Sequence, residues 1–229
     1  MPKLVFWIDV DNTLLDNDGI KDKQNEFLQA ELGPELTKLY WDIYEEVREE
    51  RSVVDIPLAL ERLRERVPQD KLDEQTYQHT LSMFHNYPFA QALYPHAIET
   101  VHYLSSLGTV VIVSDGDLVY QAEKIFNSNL AEAVEGHVML FVHKQEHLDE
   151  IRQRYPADHW TVIDDKPQIL FDIKKLMGDD VTTVFVRQGK YARESFPENY
   201  TPDMDINHIG DLQKYPGKRF WQQHDIASS

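Results

Sequence analysis

The sequence contains no cysteine, so neither a disulfide nor a thiolate-held zinc ion can belong to its chemistry. Positive charge is scarce: 23 Lys and Arg stand against 40 Asp and Glu, a formal net charge of −17. That excess excludes non-specific binding to nucleic acid or to an anionic membrane. An anionic small molecule meets the same repulsion at long range, so a site for one needs local cations or a metal. No apolar run approaches the ~20 residues that span a bilayer. Met-Pro-Lys leads directly into a strand pattern, with neither the h-region nor the cleavage site of a signal peptide. Repeats and low-complexity segments are also missing. The chain is expected to be soluble and cytoplasmic, with no nucleic-acid or membrane partner.

What the sequence does have is a core. Its 229 residues are 41% hydrophobic and 28% charged, the balance of a packed domain with room for an insert. The most informative stretch is Leu4, Val5, Phe6, Trp7 and Ile8, followed by Asp9, Val10, Asp11, Asn12 and Thr13. A continuous run of β-branched and aromatic residues reads as a strand buried on both faces of a parallel sheet. Asp and Asn are poor strand formers, so the abrupt change at Asp9 points to a chemical reason for stopping there. In open α/β sheets ligands bind at the carboxyl ends of strands, which is where these acids fall.

After the Asn17-Asp18-Gly19 turn signal the pattern becomes helical. Phe27, Leu28, Leu32, Leu36, Leu39, Tyr40, Ile43, Tyr44 and Val47 recur at helical spacing, and Gly33-Pro34 splits the stretch into two helices. A third helix is expected from Ile56-Pro57 and a fourth over residues 73–84, giving a small bundle. From Leu93 the pattern alternates. Helices are expected over residues 95–107, 118–127 and around Leu148 and Ile151, and from Pro167 to about Met177. Strands are expected at 109–113, 138–142, 160–163 and 181–186. Such β-α alternation predicts an α/β fold with a parallel sheet and right-handed crossovers, interrupted by the helical insert. The tail after Lys214 carries Phe220 and Trp221, so its start is expected to dock and its last residues to fray.

Four predicted strands end in polar sets: Asp9/Asp11, Ser114, Lys144 and Asp164/Asp165. In this order they resemble the four signature motifs of the haloacid-dehalogenase-like superfamily, over nearly the whole chain. The helical insert resembles that superfamily's C1-type cap. The resemblance implies a Rossmann-like core over residues 1–16 and 93–229, a cap over 17–92, and a Mg²⁺-dependent phosphatase acting on a small phosphorylated metabolite. It makes Asp9 the nucleophile that forms an aspartyl-phosphate and Asp11 the general acid/base. Ser114 becomes a phosphoryl-oxygen ligand and Lys144 a charge-offsetting cation. The metal set it implies is Asp9, the Asp11 backbone carbonyl and Asp165, with Asp164 a ligand or its neighbour. Dehalogenases of this superfamily lack an acid at the position of Asp11. Ile163 before the acid pair and Gln168 after it depart from the commoner pattern and leave the coordination set open.

Other readings stay open beside this one. A phosphosugar mutase uses the same parts, and a phosphonate hydrolase would need a cap lysine, for which Lys21, Lys23 and Lys38 are available. A non-catalytic binding module of the same fold is a third. Ser114-Asp115 alone would be a helix cap. His143 and His147, four residues apart, lack a third convergent ligand and are expected to be solvated helix residues. Tyr40, Trp41 and Tyr44 are expected to pack the bundle core, and Glu45 to Arg51 to form a solvated face with local charge pairs. Arg48, Arg51 and Arg62 are nevertheless the cap cations to test first for substrate contact. Substrate identity and oligomeric state are not legible.

Overall fold

In the computed structural model, which describes residues 3–221, the run Leu4–Ile8 is a strand, β1, buried along its whole length. The other strands are β2 (Thr109–Asp115), β3 (Val138–Phe141), β4 (His159–Asp164), β5 (Val181–Val186) and β6 (Met204–Ile206). All pair in parallel in the order β3-β2-β1-β4-β5-β6. Register places Ile8 beside Ile112 of β2 and Ile163 of β4. Chain order therefore reverses between β1 and β4, a topological switch point that leaves a crevice at their carboxyl ends.

Between β1 and the rest of the sheet lie α1 (Asn17–Arg51), α2 (Ile56–Arg66) and α3 (Glu74–His85). The expected split of the first helical stretch is present: Gly33 has φ +76° and ψ 168°, a left-sided backbone that a Cβ would strain, and Pro34 restarts the helix. Asp55 and Asp73 cap α2 and α3 by accepting from Leu58 N and Thr76 N. Leu28, Tyr40, Ile43, Leu60, Leu63 and Phe84 form a core of their own within this bundle. Met83 and Tyr120 pack against both this cluster and the sheet's core. The remaining helices are α4 (Ala97–Ser105), α5 (Leu118–Asn127), α6 (Leu130–Ala133), α7 (Leu148–Arg154) and α8 (Pro167–Met177).

The two faces of β1 explain its unbroken hydrophobicity. Leu4, Phe6 and Ile8 join Val101 and Leu104 of α4 on one side; Val5 and Trp7 join Ile151 of α7 and Leu170 and Ile173 of α8 on the other. The result is a three-layer α/β sandwich of Rossmann type. Sequence pattern misses β6, whose three residues Met204, Asp205 and Ile206 are too few to carry a period. The tail docks at its start as expected: Phe220 is buried, its ring edge-on to Phe6 at 5.2 Å, and Trp221 stacks on His159. The fraying expected of the last residues lies outside the described ones. Among the described residues no helix is long and apolar enough to cross a membrane.

Candidate active site

The crevice at the switch point gathers the strand-end residues. Beyond β1 the chain turns sharply, with the amides of Leu14 and Leu15 both donating to Val10 O, and Asn12 takes φ +58°. This turn holds Asp9 in line with β1, its amide donating to Ile163 O. β4 ends in Asp164, and Asp165 follows. All three acids are buried, with one carboxylate oxygen of each within 4.8 Å of the others.

Lys144 enters this cluster from the turn after β3. Its Nζ lies 2.5 Å from Asp9 Oδ1 and 2.7 Å from Asp164 Oδ2, the latter an ion pair without hydrogen-bond geometry. It also donates to Val113 O at 3.2 Å. Burial alone would lower its pKa, but Asp164, Asp9 and Asp115 outweigh burial and hold the ammonium above the ordinary lysine range. Lys166, two residues past Asp164, is likewise lowered by burial and raised further by Asp9 and Asp164. Two ammonium groups thus face three carboxylates.

The balance is still short of positive charge. Burial, opposed by Lys144 and reinforced by Asp164, pushes the Asp9 carboxyl up to about 6. Asp165 is pushed up to about 9 by burial and by the charges of Asp164 and Asp9. Asp9 Oδ2 and both Asp165 oxygens are buried with no hydrogen-bond partner. Buried, unpaired carboxylate oxygens at close quarters are costly unless a cation joins them. The donor set is all oxygen, which suits a hard divalent ion. The cluster can therefore hold a metal, and Asp165, with neither oxygen engaged, offers the freest ligand atoms. Asp164 Oδ1 is already taken by Lys166 N at 2.8 Å.

Ser114, near the carboxyl end of β2 next to β1, is buried, its Oγ accepting from Gln121 Nε2 at 2.8 Å. Gly116 behind it takes φ +146°, and a Cβ there would meet only Gln121, no nearer than 3.6 Å. Its backbone angle, not close approach, is what requires glycine. Asp115 Oδ1 fixes the Lys144 turn by accepting from Lys144 N at 2.7 Å. Asp11 stands apart from the three clustered carboxylates and faces the cleft between sheet and bundle.

Two participants, Lys124 and Gln121, escape a sequence reading, and a third, Lys166, has no role assigned in it. Lys124, on α5, is 2% exposed and its Nζ binds Asp11 Oδ1 at 2.7 Å and Asn17 Oδ1 at 3.0 Å. Gln121 holds Ser114, and Lys166 flanks the acids. A lysine and a glutamine on an amphipathic helix read as solvent-facing; their spacing of three residues, on the turn-face behind Ser114, is the only local signal. Lys166, next to the acid pair, was visible in sequence.

Several expectations change in detail. Tyr40 is bundle core, but Trp41 and Tyr44 also line the cleft. Glu46 and Glu50 pair across to Arg66 and Arg62 of α2 rather than within α1. Arg51 pairs with Asp55, which leaves Arg48 alone of the three candidate cap arginines on the cleft. His143 and His147 bracket a short 3-10 turn rather than share a helix face, and His147 stacks on Phe141. Gln168 donates to Asp172 on the outside of α8.

Comparison with solved structures agrees with this architecture. A protein from Burkholderia xenovorans LB400 described as a haloacid dehalogenase-like hydrolase is 37% identical, with TM-score 0.85 over 96% of this chain and 99% of its own. The L-2-haloacid dehalogenase of Xanthobacter autotrophicus, with chloropropionic acid covalently bound, is 16% identical. It gives a TM-score of 0.59 over 93% of this chain and 98% of its own. The HAD-hydrolase YfnB of Bacillus subtilis, bound to magnesium, is also 16% identical, with TM-score 0.60 over the same shares. The last two show likeness of fold alone. No protein-family model and no curated protein matches the chain.

Proposed function

The chain belongs to the haloacid dehalogenase-like hydrolases, and from that premise we propose that it is a Mg²⁺-dependent phosphomonoesterase for a small phosphorylated metabolite. The observation that carries the reading is Asp11: a carboxylate on the cleft, two residues beyond Asp9 and paired with a buried lysine. Displacing an alkoxide from phosphorus requires a proton for the leaving oxygen. Displacing a halide does not, because halide departs as a stable anion, so a dehalogenase has no use for this acid. The three-carboxylate cluster favours the same reading, since substitution at an uncharged carbon has no phosphoryl charge for a metal to offset.

Bound Mg²⁺, held by Asp9, Asp165, the Asp11 carbonyl and either Asp164 or a water in its place, would supply charge neutralisation between carboxylates and phosphoryl oxygens. Asp9 attacks phosphorus through a carboxylate oxygen, forming the Asp9–phosphorus bond as the phosphorus–alkoxide bond breaks. Asp11 gives the departing oxygen its proton, then takes one from the water that attacks the aspartyl-phosphate and frees inorganic phosphate. Ser114 Oγ, held by Gln121, and the Lys144 ammonium bind phosphoryl oxygens as charge moves onto them. Residues 17–92 act as the cap that covers this crevice.

The test is release of inorganic phosphate from a panel of sugar phosphates, nucleotides and phospho-acids, with Mg²⁺ and with EDTA, alongside halide release from 2-chloropropionate. Phosphate release that EDTA abolishes is expected. Halide release without phosphate release would overturn the reading in favour of a dehalogenase.

A further inference from the structure

The phosphoryl end of the cleft is matched by Ser114, Lys144 and the carboxylate cluster, yet α1 adds cations to the same cleft that this end does not use. The break at Gly33 folds α1 back on itself, so Lys21 and Tyr44 meet although they are far apart in sequence. Lys21 Nζ stands 5.4 Å from the centroid of the Tyr44 ring, and Trp41 Nε1 donates to Asn25 Oδ1 at 2.8 Å in the same antiparallel pairing. Arg48 follows Tyr44 by one helical turn, and all three side chains line the cleft with Asp11 and Asp165.

The surrounding charges make this arrangement selective. Arg51, Arg62 and Arg66 are each engaged by an acid of the bundle, at 2.5 to 2.7 Å. Lys21 has no carboxylate partner among the described residues; its ammonium rests on an aromatic face. Arg48 spends Nη1 on Glu45 at 3.0 Å, and its other nitrogens have no protein partner among the described residues. In a chain of net charge −17, a lysine without a carboxylate partner among the described residues and an arginine held by one nitrogen only, both on the reaction cleft, create local positive potential against the global field.

We infer that the substrate carries a second anionic group, a carboxylate or a second phosphate, remote from the phosphoryl that reacts, and that Lys21 and Arg48 bind it. The inference rests on the phosphomonoesterase reading and narrows it from any small ester to a phosphorylated acid or a bisphosphate. Tyr44 serves as the platform that keeps Lys21 turned into the cleft.

The experiment uses p-nitrophenyl phosphate hydrolysis in Mg²⁺ as reporter and measures competitive inhibition constants for two matched pairs. One pair is 3-phosphoglycerate against glycerol 3-phosphate; the other is fructose 1,6-bisphosphate against fructose 6-phosphate. The acidic member of at least one pair should bind about tenfold more tightly, the scale of a charge-assisted contact, and the pair that responds tells carboxylate from phosphate. Lys21→Met and Arg48→Met should each collapse that ratio toward one, and Lys21→Arg should keep most of it. Arg51→Met, whose partner Asp55 lies off the cleft's cations, should keep the wild-type ratio. Equal inhibition within both pairs overturns the inference, as does a preference that survives both methionine variants. No hydrolysis of p-nitrophenyl phosphate at all would take down the parent reading, and the inference with it.

Discussion

Lys124 Nζ lies 2.7 Å from Asp11 Oδ1, joining a lysine that is 2% exposed to a cleft carboxylate outside the metal-type cluster. Asn17, in the first turn of α1, is the second acceptor at 3.0 Å, and the Tyr120 ring lies 5.3 Å below the ammonium. α5 and the entry to the helical insert therefore meet at the acid. Lys124 holds one oxygen of Asp11, and in the proposed reaction the other is left for the proton.

Lys124→Met removes one partner of this pair and leaves the other partly buried. Breaking a fully buried pair costs ~3–5 kcal/mol; with the Asp11 side chain 25% exposed, a loss of about 2 kcal/mol is expected in urea denaturation. Adding Asp11→Asn should return part of it, giving a non-additive double-mutant cycle. A single variant within about 0.5 kcal/mol of wild type would show that the pair contributes nothing to folding.

Asp11→Asn should fail in a way that depends on the leaving group. General acid assistance contributes ~10²–10⁴-fold, and it matters most for an alkoxide and least for p-nitrophenolate. The wild-type to variant ratio for the phosphorylation step, read by pre-steady-state kinetics, should be larger for an alkyl phosphate than for p-nitrophenyl phosphate. Equal ratios would strip Asp11 of the acid's role.

Asp9→Asn keeps the side-chain shape but removes the attacking charge. Turnover should drop to background, and beryllofluoride should raise the melting temperature of wild type only. Because the substitution also relieves a cluster whose carboxyls are pushed up by burial, the metal-free variant should melt higher than metal-free wild type at pH 8. Substantial turnover in a sequence-verified variant would assign the nucleophile elsewhere.

The metal-free protein should lose stability as pH rises. Asp9 at about 6 and Asp165 at about 9 both lie above the ordinary carboxylate value of 3.8. Between those limits the folded state holds more protons than the unfolded one, so unfolding free energy falls with increasing pH. Lys144 and Lys166, held above the ordinary lysine range, act only at higher pH and leave this window alone. Melting temperature in EDTA should fall from pH 5 to pH 8, and the rise produced by Mg²⁺ should grow over the same interval. A pH-independent Mg²⁺ effect would mean that the ion binds away from Asp9 and Asp165.

How far the sequence reached can be traced residue by residue. Burial leaves a local trace, and β1 shows it: Leu4 to Ile8 are apolar without a gap because both sheet faces are covered. The polar ends at Asp9, Ser114, Lys144 and Asp164 were legible for the same reason, as breaks in otherwise apolar runs. Gly33-Pro34 acts through the backbone within a few residues, so the split of α1 was readable as well.

What only the folded chain decided are the partners of long polar side chains. Lys124 has the same sequence surroundings as a solvated helix lysine; its burial depends on Asp11 and Asn17 arriving from the far side of the sheet's first strand. Arg48, Arg51 and Arg62 look alike in sequence, and the packing of α1 against α2 determines which one meets the cleft and which meet Asp55 and Glu50. β6 exists because Val184 to Val186 offer an open edge to three residues that carry no period of their own. Periodicity records whether a residue is covered. Which group covers it is set by packing between segments distant in the chain, and that information resides in the tertiary structure.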